Sequence, residues 1–142
     1  MDDSVRINDL EPDFAAKIRA FKLLLLEQTG WEWVVVQGRR TIAEQNSLYA
    51  QGRTAPGNIV TNAQGGSSAH NFGLAVDMVP IKDNTLWWDA PDSLFKQYAD
   101  LAQQQGLVAG YYFHSIHDPD HVEDGSWRVV QAKWRAGDVQ IA

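Results

Sequence analysis

Residues 68–77 read Ser68-Ala69-His70-Asn71-Phe72-Gly73-Leu74-Ala75-Val76-Asp77. His70 and Asp77 stand seven residues apart, too far to be neighbours on one strand. They converge if His70 lies in a turn that Gly73 folds back and Asp77 lies on the strand that follows. A carboxylate on a strand face that it shares with Ala75 and Val79 needs a partner. Imidazole and carboxylate are both zinc ligands, so the pair predicts a metal site. Taken singly, Asp77 could instead cap a turn or meet an arginine, and His70 could be an ordinary loop histidine.

The third ligand must come from a small set of side chains. The chain has no cysteine and four histidines, so a metal site must be built from His, Asp and Glu. Beyond His70, the candidates are His114, His117 and His121. The segment from His117 to His121 superficially resembles the helical His-Glu-x-x-His motif of one class of zinc peptidases. Pro119 in its middle disfavours that helix, because proline lacks the amide hydrogen and clashes with the preceding turn.

The acidic side chains around His121 do not fit a calcium loop. An EF-hand would need an oxygen ligand at Val122 and a glycine at Glu123. We therefore interpret Asp120 and Asp124 as parts of a solvated acidic loop.

The rest of the chain predicts helices and strands in mixed order. Thr41-Ile42-Ala43-Glu44 has the spacing of a capping box, and Pro80 is expected to stop the strand that carries Asp77. The predicted helices are 12–29, 41–51, 91–106 and 127–136, and the predicted strands are 33–36, 74–79, 107–113 and 121–123. Residues 52–67 form a loop whose length is typical of a functional segment. This order predicts an α+β fold with one small sheet and helices packed against it.

Length and charge limit the classes of function. The chain has 142 residues, 44% of them apolar, which predicts one globular domain over residues 1–142. A net charge of −6, with no basic cluster larger than Arg39-Arg40, argues against nucleic acid and against an anionic membrane surface as partners. The acidic N-terminus lacks the apolar run of a signal peptide. We expect a monomer synthesised in the cytoplasm.

One known family combines these features. Ser68, His70, Gly73, Ala75 and Asp77 match the Ser-x-His-x-x-Gly-x-Ala-x-Asp motif, and the chain resembles the zinc peptidases that comprise D-Ala-D-Ala carboxypeptidases and L-alanyl-D-glutamate endopeptidases. Residues 37–41 resemble the family's Gly-x-Arg-Ser/Thr segment, and residues 48–61 resemble its endopeptidase branch, which includes phage endolysins. Gly106-Leu107 and Asp118-x-x-His121 follow in the expected order, so the resemblance spans about residues 30–123.

The resemblance implies a fold and a set of roles. The fold would be the DD-peptidase/hedgehog-like zinc fold, a small antiparallel sheet flanked by helices. The implied zinc ligands are His70, Asp77 and His121, with His117 as the rival to His121. The remaining implied roles are general base for Asp118, oxyanion contact for Arg40 and substrate contact for Ser68.

The sequence departs from the family pattern at two places. Ala109-Gly110-Tyr111 stands where the family often has Trp-Gly-Gly, and Asp120 stands where a proline often precedes the third ligand. We expect both positions to lie on the substrate-binding side of the site, so the departures affect substrate preference and leave the metal ligands unchanged.

The implied function is zinc-dependent hydrolysis of peptidoglycan stem peptides, at the bond between L-Ala and D-Glu, by a phage or prophage endolysin that acts on the cell wall. Arg53, in the long loop, is a candidate for contacting the D-Glu carboxylate. One alternative is a D,D-carboxypeptidase that removes terminal D-Ala. An alternative of another class is a binding module that zinc stabilises and that has lost catalysis.

Overall fold

The structure is a computed structural model that describes all 142 residues. The helices are α1 (Ser4–Asn8), α2 (Pro12–Thr29), α3 (Ile42–Ala50), α4 (Asp92–Gln104) and α5 (Trp127–Arg135). The strands are β1 (Trp33–Gln37), β2 (Ala75–Lys82), β3 (Thr85–Leu86), β4 (Val108–Ala109) and β5 (His121–Glu123). The strands pair antiparallel in the order β1-β2-β5-β4, and β3 pairs with β2. None of the helices is both long and apolar enough to cross a membrane.

The hydrophobic core lies between the sheet and helices α2 and α4. Trp33 of β1 stacks on Tyr98 of α4 with ring centroids 4.6 Å apart, and Phe21 of α2 lies 5.6 Å from the same tyrosine. All three side chains are buried. Large aromatic side chains make this packing rigid. The sheet therefore has a fixed support behind it.

Strand β2 is longer than predicted, because Pro80 does not stop it. Pro80 pairs with Trp33 of β1, and its carbonyl accepts a hydrogen bond from Trp87 N on the opposite edge. The ring nitrogen of Pro80 points in the same direction as its carbonyl, away from β1, into the gap between β5 and β3. The bond to the β1 side is donated by Ile81 N to Glu32 O. The ladder to β1 therefore needs no hydrogen from Pro80.

The predicted strand 107–113 is wrong beyond Ala109. Only Val108 and Ala109 pair with β5, and residues 110–112 form a 3₁₀ turn. Asp118 N donates to Gly110 O at 3.1 Å, and a side chain at Gly110 would collide with the Asp118 carbonyl. The glycine thus lets the chain fold back on itself, which brings residues 110–118 over the sheet.

Two elements were not predicted. Helix α1 is too short to show a hydrophobic period, and it is fixed by Asp3, whose carboxylate accepts bonds from Val35 N at 2.8 Å and Lys22 Nζ at 2.6 Å. Strand β3 follows a tight turn in which Asp83 and Asn84 have φ of 52° and 60°. The Asp83-Asn84 pair is the signal that would have predicted this hairpin.

The turn before β2 has the predicted form. Residues Ala69–Phe72 form a 3₁₀ helix, and Gly73 ends it with φ of 69°. Gly73 O accepts a bond from Glu11 N, and a Cβ on Gly73 would lie 2.9 Å from that nitrogen. The glycine is needed for its left-handed conformation and for this close approach.

Gly73→Ala should lower the free energy of unfolding by about 2 kcal/mol or more, since alanine would be strained in the left-handed region and its Cβ would press on the backbone of Glu11. Urea denaturation measures the change. Gly106→Ala is the matched control, because Gly106 has φ of 77° and nothing within 4 Å of an added Cβ. It should lose only about 1 kcal/mol. Equal losses for the two variants would contradict the close approach.

Candidate metal centre

Three buried side chains from separate elements converge at one point. Asp77 of β2 lies directly opposite His121 of β5, so the two side chains share one face of the sheet. His70 reaches the same point from the 3₁₀ helix. His121 Nδ1 lies 3.2 Å from His70 Nε2 and 3.3 Å from Asp77 Oδ1, and His70 Nε2 lies 3.4 Å from Asp77 Oδ1. The residues that the motif singled out are therefore brought together, and they could hold a metal ion.

The spacing of these three atoms fits zinc. A tetrahedral zinc ion with bonds of about 2.0–2.1 Å needs ligand atoms about 3.3–3.4 Å apart. The observed separations of 3.2, 3.3 and 3.4 Å form a triangle of that size. Two imidazoles and one carboxylate are also the ligand set of several catalytic zinc sites.

Hydrogen bonds fix the tautomers of both histidines. His70 Nδ1 lies 2.7 Å from Gly38 O, so this nitrogen carries the hydrogen and Nε2 carries the lone pair. His121 Nε2 lies 2.7 Å from Glu123 Oε1 and donates to it, so in the neutral form that binds a metal the lone pair is on Nδ1. Both lone pairs and the Asp77 oxygen therefore point to one place, where a cation relieves their mutual repulsion.

Glu123 contacts the centre through His121, and it was not selected from the sequence. Its Oε1 accepts from His121, and its Oε2 accepts from Trp127 Nε1 at 2.6 Å. Trp127 is buried and begins helix α5. The available signal was spacing, since residues two apart on a strand share a face. A carboxylate in this position orients the imidazole and raises its basicity.

The electrostatics of the centre favour a positive charge. Burial alone would raise the pKa of Asp77, but the facing His70 and His121 outweigh it and hold that pKa far below its usual range. Burial alone would lower the pKa of His121, but the carboxylates of Asp77 and Glu123 raise it to about 10.

A second acidic group lies beside the centre. The carboxylates of Asp77, Asp118 and Asp120 come within 4.8 Å of one another. Burial, followed by the charges of Asp77 and Asp118, raises the pKa of Asp120 to about 8. Asp120 is thus crowded between two carboxylates, a different environment from the solvated loop expected from the sequence.

Arg40 lies against the centre, whereas Arg39 points away. The Arg40 guanidinium places Nη2 3.3 Å from Asp77 Oδ2 and donates from Nη1 to Gln45 Oε1 at 3.2 Å, while its buried Nε has no partner. Arg39 instead donates to Asp9 O. Asp77 therefore meets an arginine with one oxygen and faces the histidines with the other.

The other candidate residues are divided between the centre and the surrounding loops. Asp118 Oδ2 lies 3.7 Å from His121 Nδ1, and its side chain is 43% exposed to the cleft. Ser68 Oγ accepts from His70 N at 3.2 Å and so caps the 3₁₀ helix. His117 Nδ1 instead bonds to Tyr111 O at 3.0 Å. His117 and His114 are exposed and are not among the converging groups.

The centre lies at the base of a cleft of ≈ 810 Å³. Its walls come from α3, from residues 60–70, from the 110–118 loop and from the start of α5. Arg53 does not line it. That side chain donates to Tyr49 O, Thr61 O and Asn62 Oδ1 and so closes the 52–62 loop on itself. Three of the five N–H donors of Arg53 are therefore used within the loop, and a contact between Arg53 and the D-Glu carboxylate stays a prediction.

Comparison with known proteins places this geometry in a family. The family model VanY, described as D-alanyl-D-alanine carboxypeptidase, matches residues 8–130. The chain belongs to the VanY family. The peptidoglycan L-alanyl-D-glutamate endopeptidase CwlK of Bacillus subtilis is 43% identical over 124 residues, which cover 82% of this chain and 74% of CwlK. The predicted family and the prediction of a peptidase are both confirmed.

Solved structures with the VanY-family fold agree with the predicted fold class. The L-Ala D-Glu endopeptidase ChiX of Serratia marcescens has a TM-score of 0.61 at 19% identity, with 96% of this chain and 90% of ChiX covered. A variant of the vancomycin-resistance D,D-pentapeptidase VanY, in complex with Zn(II), has a TM-score of 0.59 at 13% identity, with 87% and 78% covered. The predicted α+β zinc-peptidase fold is confirmed.

His121→Ala should abolish binding of zinc, because it removes one corner of the ligand triangle. His117→Ala should bind zinc like the unaltered protein. Isothermal titration of the metal-free proteins with Zn²⁺ measures both affinities. Loss of binding in His117→Ala with retention in His121→Ala would show that the third ligand is His117.

Glu123→Gln should weaken zinc binding by about 10–100-fold, the usual effect of removing a carboxylate behind a ligating histidine. The amide cannot accept from both His121 and Trp127, and it lacks the charge that supports the imidazole. Asp124→Asn is the matched control, since Asp124 faces Lys17 and Ser126. The same titration compares the two. Unchanged affinity in Glu123→Gln would rule out this supporting role.

Proposed function

We propose that the chain is a zinc-dependent endopeptidase that hydrolyses the bond between L-Ala and D-Glu in peptidoglycan stem peptides. The observation that carries the proposal is the triangle of His70, Asp77 and His121 at the base of an open cleft. A bound zinc ion at this point would supply Lewis acidity, which lowers the pKa of water and polarises a carbonyl.

Asp118 has the position of a general base. Its carboxylate is beside the ligand triangle and remains accessible from the cleft. It would accept a proton from the attacking water molecule and deliver it to the departing amine nitrogen, so that the products are a carboxylate and a free amine. Its partial exposure suits it to this exchange, since the other carboxylates of the centre are enclosed.

Arg40 and Ser68 support the reaction in different ways. The Arg40 guanidinium lies in the cleft wall next to Asp77, where its charge would stabilise the oxyanion that forms on the scissile carbonyl. Ser68 lines the same cleft, from which it would contact the substrate. Its hydroxyl already fixes the backbone of His70, so it would link substrate binding to the ligand.

A binding module without catalysis is the less supported alternative. A structural zinc site is closed by four protein ligands, whereas three converge here. The accessible carboxylate of Asp118 and the arginine beside Asp77 would have no purpose in a structural site. We also propose that residues 1–142 act as one catalytic domain, supported by the single cluster of buried apolar side chains that spans the helices and the sheet.

The choice of bond is supported by the relatives. CwlK, at 43% identity, is an L-alanyl-D-glutamate endopeptidase by name. The family model carries the description of a D-alanyl-D-alanine carboxypeptidase, which makes removal of terminal D-Ala the second candidate. A role as an endolysin in host lysis stays a prediction, and its test is the loss of turbidity when purified protein is added to bacterial cells.

Digestion of purified peptidoglycan should release new N-terminal D-Glu and leave L-Ala on the muramic acid, as measured by mass spectrometry of the products. A chelator should stop the reaction, and added Zn²⁺ should restore it. Asp118→Asn should keep zinc but lose about 10²–10⁴-fold of the rate, the usual scale for a general base. Free D-Ala as the sole product would establish the carboxypeptidase instead. Full activity in the metal-free protein would overturn the zinc site.

A further inference from the structure

A second groove of ≈ 490 Å³ lies on the other side of Asp77 from the cleft. We name it the Trp88 groove. Its lining includes Arg6, Val34, Leu86, Trp88, Asp77 and Asp120. No step of the proposed reaction uses this groove.

The Trp88 groove continues the catalytic cleft along the same face of the sheet. Val34 of β1 pairs with Val79, which is two residues beyond Asp77 on β2 and therefore on the same face. Asp77 and Asp120 line both the groove and the cleft. The candidate metal centre is thus at the junction of two depressions, and a substrate that crosses the centre has room on both sides.

The walls of the two depressions differ in chemistry. The cleft presents many polar groups, among them Ser68, Asn62 and Arg128. The Trp88 groove presents the side chains of Leu86 and Trp88, and the indole of Trp88 is 57% exposed. Leu86 and Trp88 thus give this groove an apolar wall next to Asp77 and Asp120. A flat indole can stack against the C–H face of a sugar ring while the ring's hydroxyl groups stay in water.

We propose that the Trp88 groove holds the muramic acid sugar from which the stem peptide extends, with the peptide beyond the scissile bond in the larger cleft. This inference rests on the proposed function. Only L-Ala and the lactyl group separate the L-Ala–D-Glu bond from the sugar, and one extended residue spans about 3.3–3.6 Å. An enzyme that cuts this bond must therefore accept the sugar close to its metal. A carboxypeptidase that trims the far end of the stem would have no such requirement.

The test compares two substrates with the same peptide, L-Ala–D-isoglutamine. One carries N-acetylmuramic acid on the amino group of L-Ala, and the other carries an acetyl group. Trp88→Ala should raise KM for the muramoyl substrate about tenfold, equivalent to about 1.4 kcal/mol, and should leave KM for the acetyl substrate unchanged. The value of kcat should change for neither, since Trp88 touches no reacting atom. Trp88→Phe should recover most of the loss, because an aromatic face remains.

Val129→Ala is the control variant. Val129 is an apolar residue of α5 that is 59% exposed and lines neither depression, so both substrates should behave as with the unaltered protein. A tenfold effect of Trp88→Ala on both substrates, or on neither, would overturn the sugar site while the endopeptidase activity stands. If the unaltered protein leaves the L-Ala–D-isoglutamine bond intact in both substrates, the proposed function fails and the sugar site fails with it.

Discussion

The pairing of Asp77 with His121 across β2 and β5 is the constraint on which the site depends. Strand β5 has three residues, and a shift of one residue would turn His121 to the opposite face of the sheet. The register is held next to the centre by the carbonyl of Asp120, which accepts from Met78 N at 2.9 Å and from the buried Tyr98 hydroxyl at 2.8 Å. The core helix α4 therefore sets the position of a candidate ligand, His121, that it does not itself contribute.

The remaining ligand is fixed by a separate set of backbone bonds. His70 donates through Nδ1 to Gly38 O, and its own carbonyl accepts from Arg40 N. Gly38 and Arg40 both belong to the segment between β1 and α3. This one loop therefore fixes both the ring orientation and the backbone position of His70. Arg40 then reaches Asp77 from the same loop. Two independent supports meet at the centre, one through β5 and one through this loop, which makes the ligand triangle rigid before any ion binds.

The parts of the fold that the sequence predicts are those with a local cause. The capping box at Thr41 is present with both of its bonds, and Gly73 reverses the chain after His70 as expected. The predicted strand over 107–113 ends at Ala109 because Gly110 contacts Asp118, a contact that the apolar composition of the segment does not show. The prediction that Pro80 ends its strand fails because the position that tolerates a proline, with no partner for the ring nitrogen, is a tertiary feature.

The candidate site divides in the same way. A motif with fixed spacing is sufficient to select His70 and Asp77, and the structure brings His121 to them. The support from Glu123 could not be derived with certainty from its position two residues after His121, because nothing local shows that Trp127 stands behind it. The Trp88 groove has no local sequence signal at all. Its walls come from the N-terminus, β1, β2, β3, the segment after β3 that holds Trp88, and the residue before β5, which only the folded chain assembles.

The bond from Trp127 to Glu123 also has a consequence for cooperativity. Helix α5 lies at the C-terminal end of the chain, yet its first residue shares a carboxylate with a ligand in the middle of the sheet. Binding of an ion and docking of this helix would therefore stabilise each other, since each would order the same carboxylate. Local opening of α5 would be suppressed when the centre is filled, and slower amide hydrogen exchange would extend from β5 into the terminal helix. The rate of amide hydrogen exchange in α5 would then differ between the protein with an ion at the centre and the protein without one.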